Sequence, residues 1–263
     1  MQMSNDENVF GFKEKLHQNI VGTHISMTNS MVSEILGHLG YDYIWIDSEH
    51  SENNYTSIRN HITAVNAGGT PAIVRVSQND FNHVKRILEM GVQGIVFPMV
   101  NGVKEAENAV RFSTYPPRGI RGFGPLRAVN YGIDDISEYI RTADSNLCRF
   151  IQIESVQAVD NLEEIVKIDM IDGFIFGPYD LSGSLGELGN IYGEKIQSCI
   201  RKAIEILKKH GKTIGISLGT TDVKELMFWK ELGINMISSG TDYDYIMQGA
   251  RENLRNFREY IYQ

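Results

Sequence analysis

One theme recurs along the chain: a short run rich in Ile, Val, Phe and Tyr, then a longer segment of helical character, eight times over. The runs are VGTHISM from Val21, YIWID from Tyr43, AIVRV from Ala72, GIVFPMV from Gly94, FIQIE from Phe150, GFIFGP from Gly173, TIGIS from Thr213 and MISSG from Met236. Several lack the polar alternation of a half-solvated strand, as strands covered on both faces should. Eight such units in 263 residues close most economically as a barrel, for which roughly 250 residues is typical.

The expected fold is therefore α/β, a single-domain (β/α)8 or TIM barrel spanning 1–263, with a helical lead-in near 8–20 and a C-terminal helix near 243–262. A doubly wound sheet is the competitor. It usually carries a glycine-rich phosphate turn after its first strand, whereas the segment after Met27 reads TNSMVSEILGHLG. There Asn29 or Ser30 can cap a helix with an apolar face of Met31, Ile35 and Leu36 or Leu39, ending at Gly40.

Two segments break the rhythm. Residues 113–148 form a long excursion containing YPPRGIRGFG, with a short helix predicted over Asp134 to Ala143; it follows a helix and so begins at the face opposite the strand C-termini. Residues 177–193, GPYDLSGSLGELGNIYG, directly follow the sixth run and so belong to the C-terminal mouth, where barrel chemistry occurs.

Parallel strands deliver their last residues to that one mouth. Strand two ends in Asp47, Ser48, Glu49 and His50, strand three in Arg75, strand five in Gln152 and Glu154; strand six runs into Asp180, strand seven into Ser217, strand eight into Ser238, Ser239 and Asp242. Singly each has an ordinary explanation as a cap, a rim charge or an ion-pair partner. Together they describe charges aimed into a partly dry space, where carboxylates from neighbouring strands suit a hard divalent cation. Glu154 and Asp180 are the best-placed pair. No predicted strand ends in lysine, since Lys212 precedes strand seven, and this disfavours Schiff-base chemistry. The remaining economical solution is a Lewis-acidic cation with Arg75 answering enolate charge.

The formal charge of −8 opposes nucleic-acid binding. A polar, acidic start without a long apolar run reads as neither a signal peptide nor a membrane span, so a cytoplasmic location is expected. Cys148 and Cys199 show no metal-ligand spacing, and Cys199 lies in the helical series Ile196, Cys199, Ile200, Ala203, Leu207, which predicts a buried thiol.

YDYIWIDSEHSENNY, PAIVRV, GVQGIVFPMV, YPPRGIRGFG, FIQIES and DGFIFGPYDLSGSLG follow one another over nearly the whole chain. By these segments the sequence resembles the HpcH/HpaI aldolases, class II pyruvate aldolases related to citrate lyase β chains. The resemblance implies reversible cleavage of a 4-hydroxy-2-oxo acid to pyruvate and an aldehyde, with Glu154 and Asp180 binding Mg2+, Mn2+ or Co2+. Gln152, Arg75 and the stretch Gly177, Pro178, Tyr179 and Asp180 would hold pyruvate, and Arg75 would stabilise the enolate. His50, oriented by Asp47, would act through water as base and acid at the C4 hydroxyl, while Glu49 would support waters around the ion.

Three positions depart from the family pattern. His24 stands where tryptophan is usual, Tyr179 where a small residue is common, and Glu89 where an aspartate is thought to raise the histidine's basicity. The acceptor pocket is accordingly assigned to His24, Ser217 and Leu218, and the aldehyde is left open. Family members are commonly hexamers whose last helix packs on a neighbouring subunit. Here Tyr245, Leu254, Phe257 and Ile261 suit either that or an intramolecular eighth helix. An acyl-CoA lyase of citrate-lyase type and a non-catalytic oxo-acid-binding barrel are the alternative functions, and glycines 219 and 240 give a weak hint of a phosphate site.

Overall fold

The computed structural model describes residues 11–262. In it the runs become β1 (Ile20–Ile25), β2 (Tyr43–Asp47), β3 (Ala72–Arg75), β4 (Gly94–Phe97), β5 (Cys148–Ile153), β6 (Gly173–Phe176), β7 (Thr213–Leu218) and β8 (Met236–Thr241). Each pairs in parallel with its sequence neighbour, and β8 closes on β1. The chain is a (β/α)8 barrel, not a doubly wound sheet. β5 starts earlier than the run from Phe150, because Cys148 and Arg149 already pair with Gly94 and Ile95.

Closure explains the missing alternation. In β2, Tyr43 and Trp45 point into the barrel while Ile44 and Ile46 face the helices, and both faces are dry. A strand of this kind serves two apolar layers. The lower end of the barrel is stoppered by the helix Phe12–Lys15, whose Phe12 ring lies 5.7 Å from Tyr43 and 6.4 Å from Phe150. This is the described part of the expected lead-in; residues 8–10 lie outside the described residues. Interior volume is shared closely: a Cβ at Gly22 would lie 2.4 Å from the Tyr43 ring.

The excursion is held by two buried arginines. Arg149 Nε donates to Ser113 Oγ at 2.8 Å and Nη2 to the Ser113 carbonyl at 3.1 Å. Arg121 stacks 4.4 Å above the Tyr115 ring and donates to the Tyr139 hydroxyl at 3.0 Å. The helix expected over 134–143 is Ile136–Asn146, capped by Asp135.

Two expectations need correction. Asn29 does cap the helix Ser30–Gly37, but Met31, Ile35 and Leu39 are more than half exposed; only Leu36 of that series enters the core. Cys199 is half-buried at the rim of its helix, whereas Cys148 inside the barrel is the buried thiol. The C-terminal helix Asp242–Asn256 continues into a π turn at Phe257–Ile261, and from Ile246 to Tyr262 every residue is exposed. It stands off its own barrel instead of completing the helical ring. Among the described residues no helix is long and apolar enough to cross a membrane.

Candidate active site

Pairing brings the last residue of β2 opposite the last of β3, Asp47 against Arg75. Arg75 Nε donates to Asp47 Oδ1 at 2.9 Å and Nη2 to Oδ2 at 2.7 Å, a bidentate clamp, while Nη1 makes an ion pair with Glu49 Oε2 at 2.9 Å. Burial pushes the Asp47 carboxyl up, but the Arg75 hydrogen bonds and charge, with the Glu49 N–H, outweigh it and leave Asp47 below the usual carboxylate range. Burial likewise works against charge on Arg75, and Asp47, Glu49 and Glu154 overcome it to hold the guanidinium more firmly protonated. The guanidinium also lies 5.6 Å over the Trp45 ring. Arg75 is thus a fixed, aimed cation, not a mobile rim charge.

Across the mouth, β5 carries Gln152 and, just beyond its end, Glu154, both nearly buried. Each Glu154 oxygen receives one donor. Gln152 Nε2 donates to Oε1, and the Met99 backbone N–H donates to Oε2 at 2.9 Å. Met99 follows β4 at a φ of 55°, a left-handed conformation uncommon for a residue with a side chain. Burial raises the Glu154 carboxyl to about 7; Met99 opposes that shift while the charges of Glu49 and Asp180 reinforce it. Glu49 is raised too, by burial first, with Arg75 opposing and Asp47 and Asp180 adding to it. Asp180 itself is exposed, in the first turn of the helix Pro178–Ser184, which opens on a proline at its N-terminus.

Gly177 joins β6 to that helix and leaves room for Glu154. A Cβ there would lie 3.0 Å from Glu154 Cγ and 3.2 Å from Gln152 Nε2. Gln152 Oε1 is buried without a hydrogen-bond partner. Two carboxylates, an orphaned amide oxygen and mutual repulsion between acids make a donor set that fits a hard divalent cation. Among the described residues no cluster of three or more His, Cys, Asp or Glu forms. Glu154 and Asp180 alone would leave most of an octahedral shell to water and substrate, as Mg2+ sites commonly do.

The remaining predicted residues divide. His50 is at the mouth and two-thirds exposed, with Nε2 3.8 Å from Glu49 Oε2. Asp47, expected to orient it, is committed to Arg75. Glu89 ends the helix Phe81–Leu88 at the opposite face, where its carbonyl accepts from the Ala128 N–H at 3.2 Å, so within the chain it does not approach His50. Leu218 packs in the outer layer against the helices, because alternation along β7 sends its neighbour Ser217 inward instead. Tyr179 is half-exposed beside Asp180, and Pro178 is buried. His24 and Ser217 do meet, at 2.9 Å between Nε2 and Oγ. Ser238 lies deeper, bonded to the Tyr43 hydroxyl at 2.6 Å. Asp242 is a structural cap, accepting from the Ser26, Met27 and Tyr243 amides. The weak phosphate hint at glycine 240 has another explanation, since a side chain there would meet the Tyr245 hydroxyl at 2.5 Å.

Sequence reasoning missed Met99 and Trp45. Met99 acts through its backbone, which residue type does not announce; Trp45 could have been found by alternation, two positions before Asp47 on the same face.

Comparisons with known proteins bear on the family and the fold. A 4-hydroxy-2-oxo-heptane-1,7-dioate aldolase of Salmonella typhimurium is 34% identical over 230 residues, covering 88% of this chain and 87% of the relative. Among solved structures, an HpcH/HpaI aldolase/citrate lyase family protein from Burkholderia cenocepacia superposes with a TM-score of 0.89 at 28% identity, covering 95% of this chain and all of that one. An HpcH/HpaI aldolase from Desulfitobacterium hafniense gives 0.86 at 27% identity, covering 94% and 96%. The family model described as HpcH/HpaI aldolase/citrate lyase matches residues 21–248, and the chain, an aldolase, belongs to that family.

Proposed function

We propose that this mouth cleaves and forms the C3–C4 bond of 4-hydroxy-2-oxo acids, giving pyruvate and an aldehyde, with a divalent cation held by Glu154 and Asp180. The observation that carries the reading is Glu154: a nearly buried carboxylate, crowded by Glu49 and Asp180 and raised to about 7, is costly unless a cation uses it. The name of the Salmonella typhimurium relative supports the substrate class. Mg2+, Mn2+ or Co2+ bound there supplies a Lewis acid for the oxo group.

The chain's own residues do the rest. Gln152 and the backbone of Gly177, Pro178 and Tyr179 orient the oxo acid beside Glu154 and Asp180. Arg75, immobilised by Asp47 and Glu49, presents positive charge to the oxygen that becomes negative as the bond breaks. His50 takes the C4 hydroxyl proton through water in cleavage and returns it in condensation, with Glu49 as its nearest charged neighbour. Glu89 has no part in this within one chain.

A homo-oligomer, a hexamer by the family resemblance, fits two exposed apolar surfaces: Met31 and Ile35 on the first barrel helix with Leu39 just after it, and Ile246 and Leu254 on the C-terminal helix with Phe257 and Ile261 in the π turn that follows. The test of function is pyruvate release from a 4-hydroxy-2-oxo acid before and after exhaustive chelation. Activity lost with EDTA, restored by Mn2+ and absent in Glu154→Ala is expected; full turnover after chelation overturns the proposal.

A further inference from the structure

We propose that the arc of the mouth formed by β1, β7 and β8 selects an uncharged, hydroxyl-bearing aldehyde, whose O–H donates to Ser217 Oγ. The inference rests on the aldolase reading above and names its acceptor class.

His24 and Ser217 lie on strands separated by β8, so a side-chain bond between them can form only inside the barrel. β5 and β6 supply the proposed cation ligands, and β2 and β3 the Asp47–Arg75 pair. The arc of His24 and Ser217 is the part of the mouth left for the second substrate.

The hydrogen-bond directions there are fixed by elimination. His24 Nδ1 lies 2.8 Å from the Gly240 carbonyl, which can only accept, so Nδ1 carries the proton. Gly240 turns that carbonyl inward at a φ of 68°, where the register of β8 against β1 shifts between Gly22 and His24. The imidazole is kept neutral chiefly by burial, against the Gly240 bond, with Arg75 also disfavouring charge and Asp47 and Asp242 favouring it. Nε2 therefore holds a lone pair, and Ser217 spends its single O–H on it. Only lone pairs of Ser217 Oγ remain for a substrate.

A carboxylate on the aldehyde finds no donor in this pair. His24 has none free, the N–H groups that Arg75 does not spend on Asp47 and Glu49 serve the enolate oxygen in the reading above, and the carboxylate of Asp242 lies at the end of β8. A hydroxyl finds an acceptor. Selection thus combines an attraction with a repulsion.

The experiment compares pyruvate condensation with glycolaldehyde, acetaldehyde and succinic semialdehyde on Mn2+-loaded protein, reading kcat/KM ratios within each variant so that losses of folded enzyme cancel. Wild type should favour glycolaldehyde over acetaldehyde by about tenfold, the order expected for one hydrogen bond to a bound hydroxyl, and should disfavour succinic semialdehyde. Ser217→Ala should bring the first ratio near unity and Ser217→Thr should restore it. His24→Phe, which frees the serine O–H to donate, should shift the balance toward succinic semialdehyde by about tenfold. No hydroxyl preference in wild type, a preference that survives Ser217→Ala, or succinic semialdehyde as the favoured acceptor would overturn the inference. Exchange of pyruvate methyl protons in D2O without aldehyde separates the two levels. Exchange with indiscriminate acceptors sinks this inference alone; neither exchange nor condensation sinks the aldolase reading and this inference with it.

Discussion

Replacing Glu154 with glutamine separates what the cation site costs the fold from what it does. In the chelated protein Glu154 is raised from 4.5 to about 7 by burial and by Glu49 and Asp180, against the Met99 N–H. The folded state therefore keeps a proton that the unfolded chain releases between those values. Stability from this group is fully present below about pH 4.5, falls as pH rises and is gone above about 7. At 1.36 kcal/mol per pH unit the full cost is about 3 kcal/mol. Glutamine removes the charge and keeps the shape, but its NH2 group faces Gln152 Nε2 and loses one hydrogen bond, about 1 kcal/mol. Glu154→Gln should therefore be about 2 kcal/mol more stable than wild type at pH 8 in EDTA. Near pH 4.5, where the wild-type carboxyl is itself neutral, it should be about 1 kcal/mol less stable. Urea denaturation of both proteins at the two pH values measures this, and calorimetric titration with Mn2+ should show binding lost in the variant. A stability difference that does not change with pH would refute the reasoning.

Gly177→Ala should weaken Mn2+ binding about tenfold in a calorimetric titration, because the new methyl pushes on Glu154 and Gln152 from within 3.2 Å; unchanged affinity would mean that the cradle is slack. Met99→Val places a β-branched residue at a φ of 55°, and about 2 kcal/mol lost in urea together with weaker Mn2+ binding is expected, whereas Met99→Gly should retain binding. His61 is buried between Ser33 and Asn53, which in turn holds the Asp47 carbonyl. Burial lowers its pKa from 6.5 to about 4, so stability is present above 6.5 and lost as pH falls toward 4. About 2 kcal/mol should be lost by pH 5. The pH slope of His61→Gln, measured by urea denaturation, should lack this component.

The barrel was legible because closure demands a pattern that few other folds share. Several of the eight runs lack polar alternation and so need two dry faces, and parallel strands of that kind need helices packed outside them. Strand ends likewise carry Asp47, Arg75, Gln152 and Glu154 to one mouth, since a strand end fixes where a side chain goes, with Asp180 in the helix turn just after β6. Strand position alone does not decide partner choice. The family resemblance gives Asp47 to His50, three residues farther along the chain, but Arg75 stands opposite Asp47 in register and offers two parallel N–H groups, which a bidentate carboxylate prefers. Leu218, expected in the acceptor pocket, is turned to the outer layer by the alternation of β7. Met31, Ile35 and Leu39 show the limit of periodicity: helical spacing marks an apolar face without saying whether the chain's own core receives it.

What sequence left unread is mostly backbone. Each of three features at this mouth is a main-chain conformation that directs a dipole or clears a space. Met99 holds a left-handed turn and gives its N–H to Glu154. Gly177 omits the carbon that would strike Glu154. Gly240 turns its carbonyl to His24 and so fixes the tautomer that commits the Ser217 hydroxyl. Side chains carry the charge in this site, and these three positions help to direct two of them, Glu154 and His24. A substitution at any of them changes no ionisable group, yet it should alter cation affinity at the first two and acceptor choice at the third. Gly240→Ala tests the last case: a side chain that strains the 68° φ and meets Tyr245 should release the His24 tautomer. Without the Gly240 bond, either ring nitrogen can carry the proton, and Ser217 is no longer held as an acceptor alone. Its preference for hydroxyl-bearing over carboxylate-bearing aldehydes should then fall although every polar side chain remains; a preference equal to wild type would show that the backbone is not what sets it.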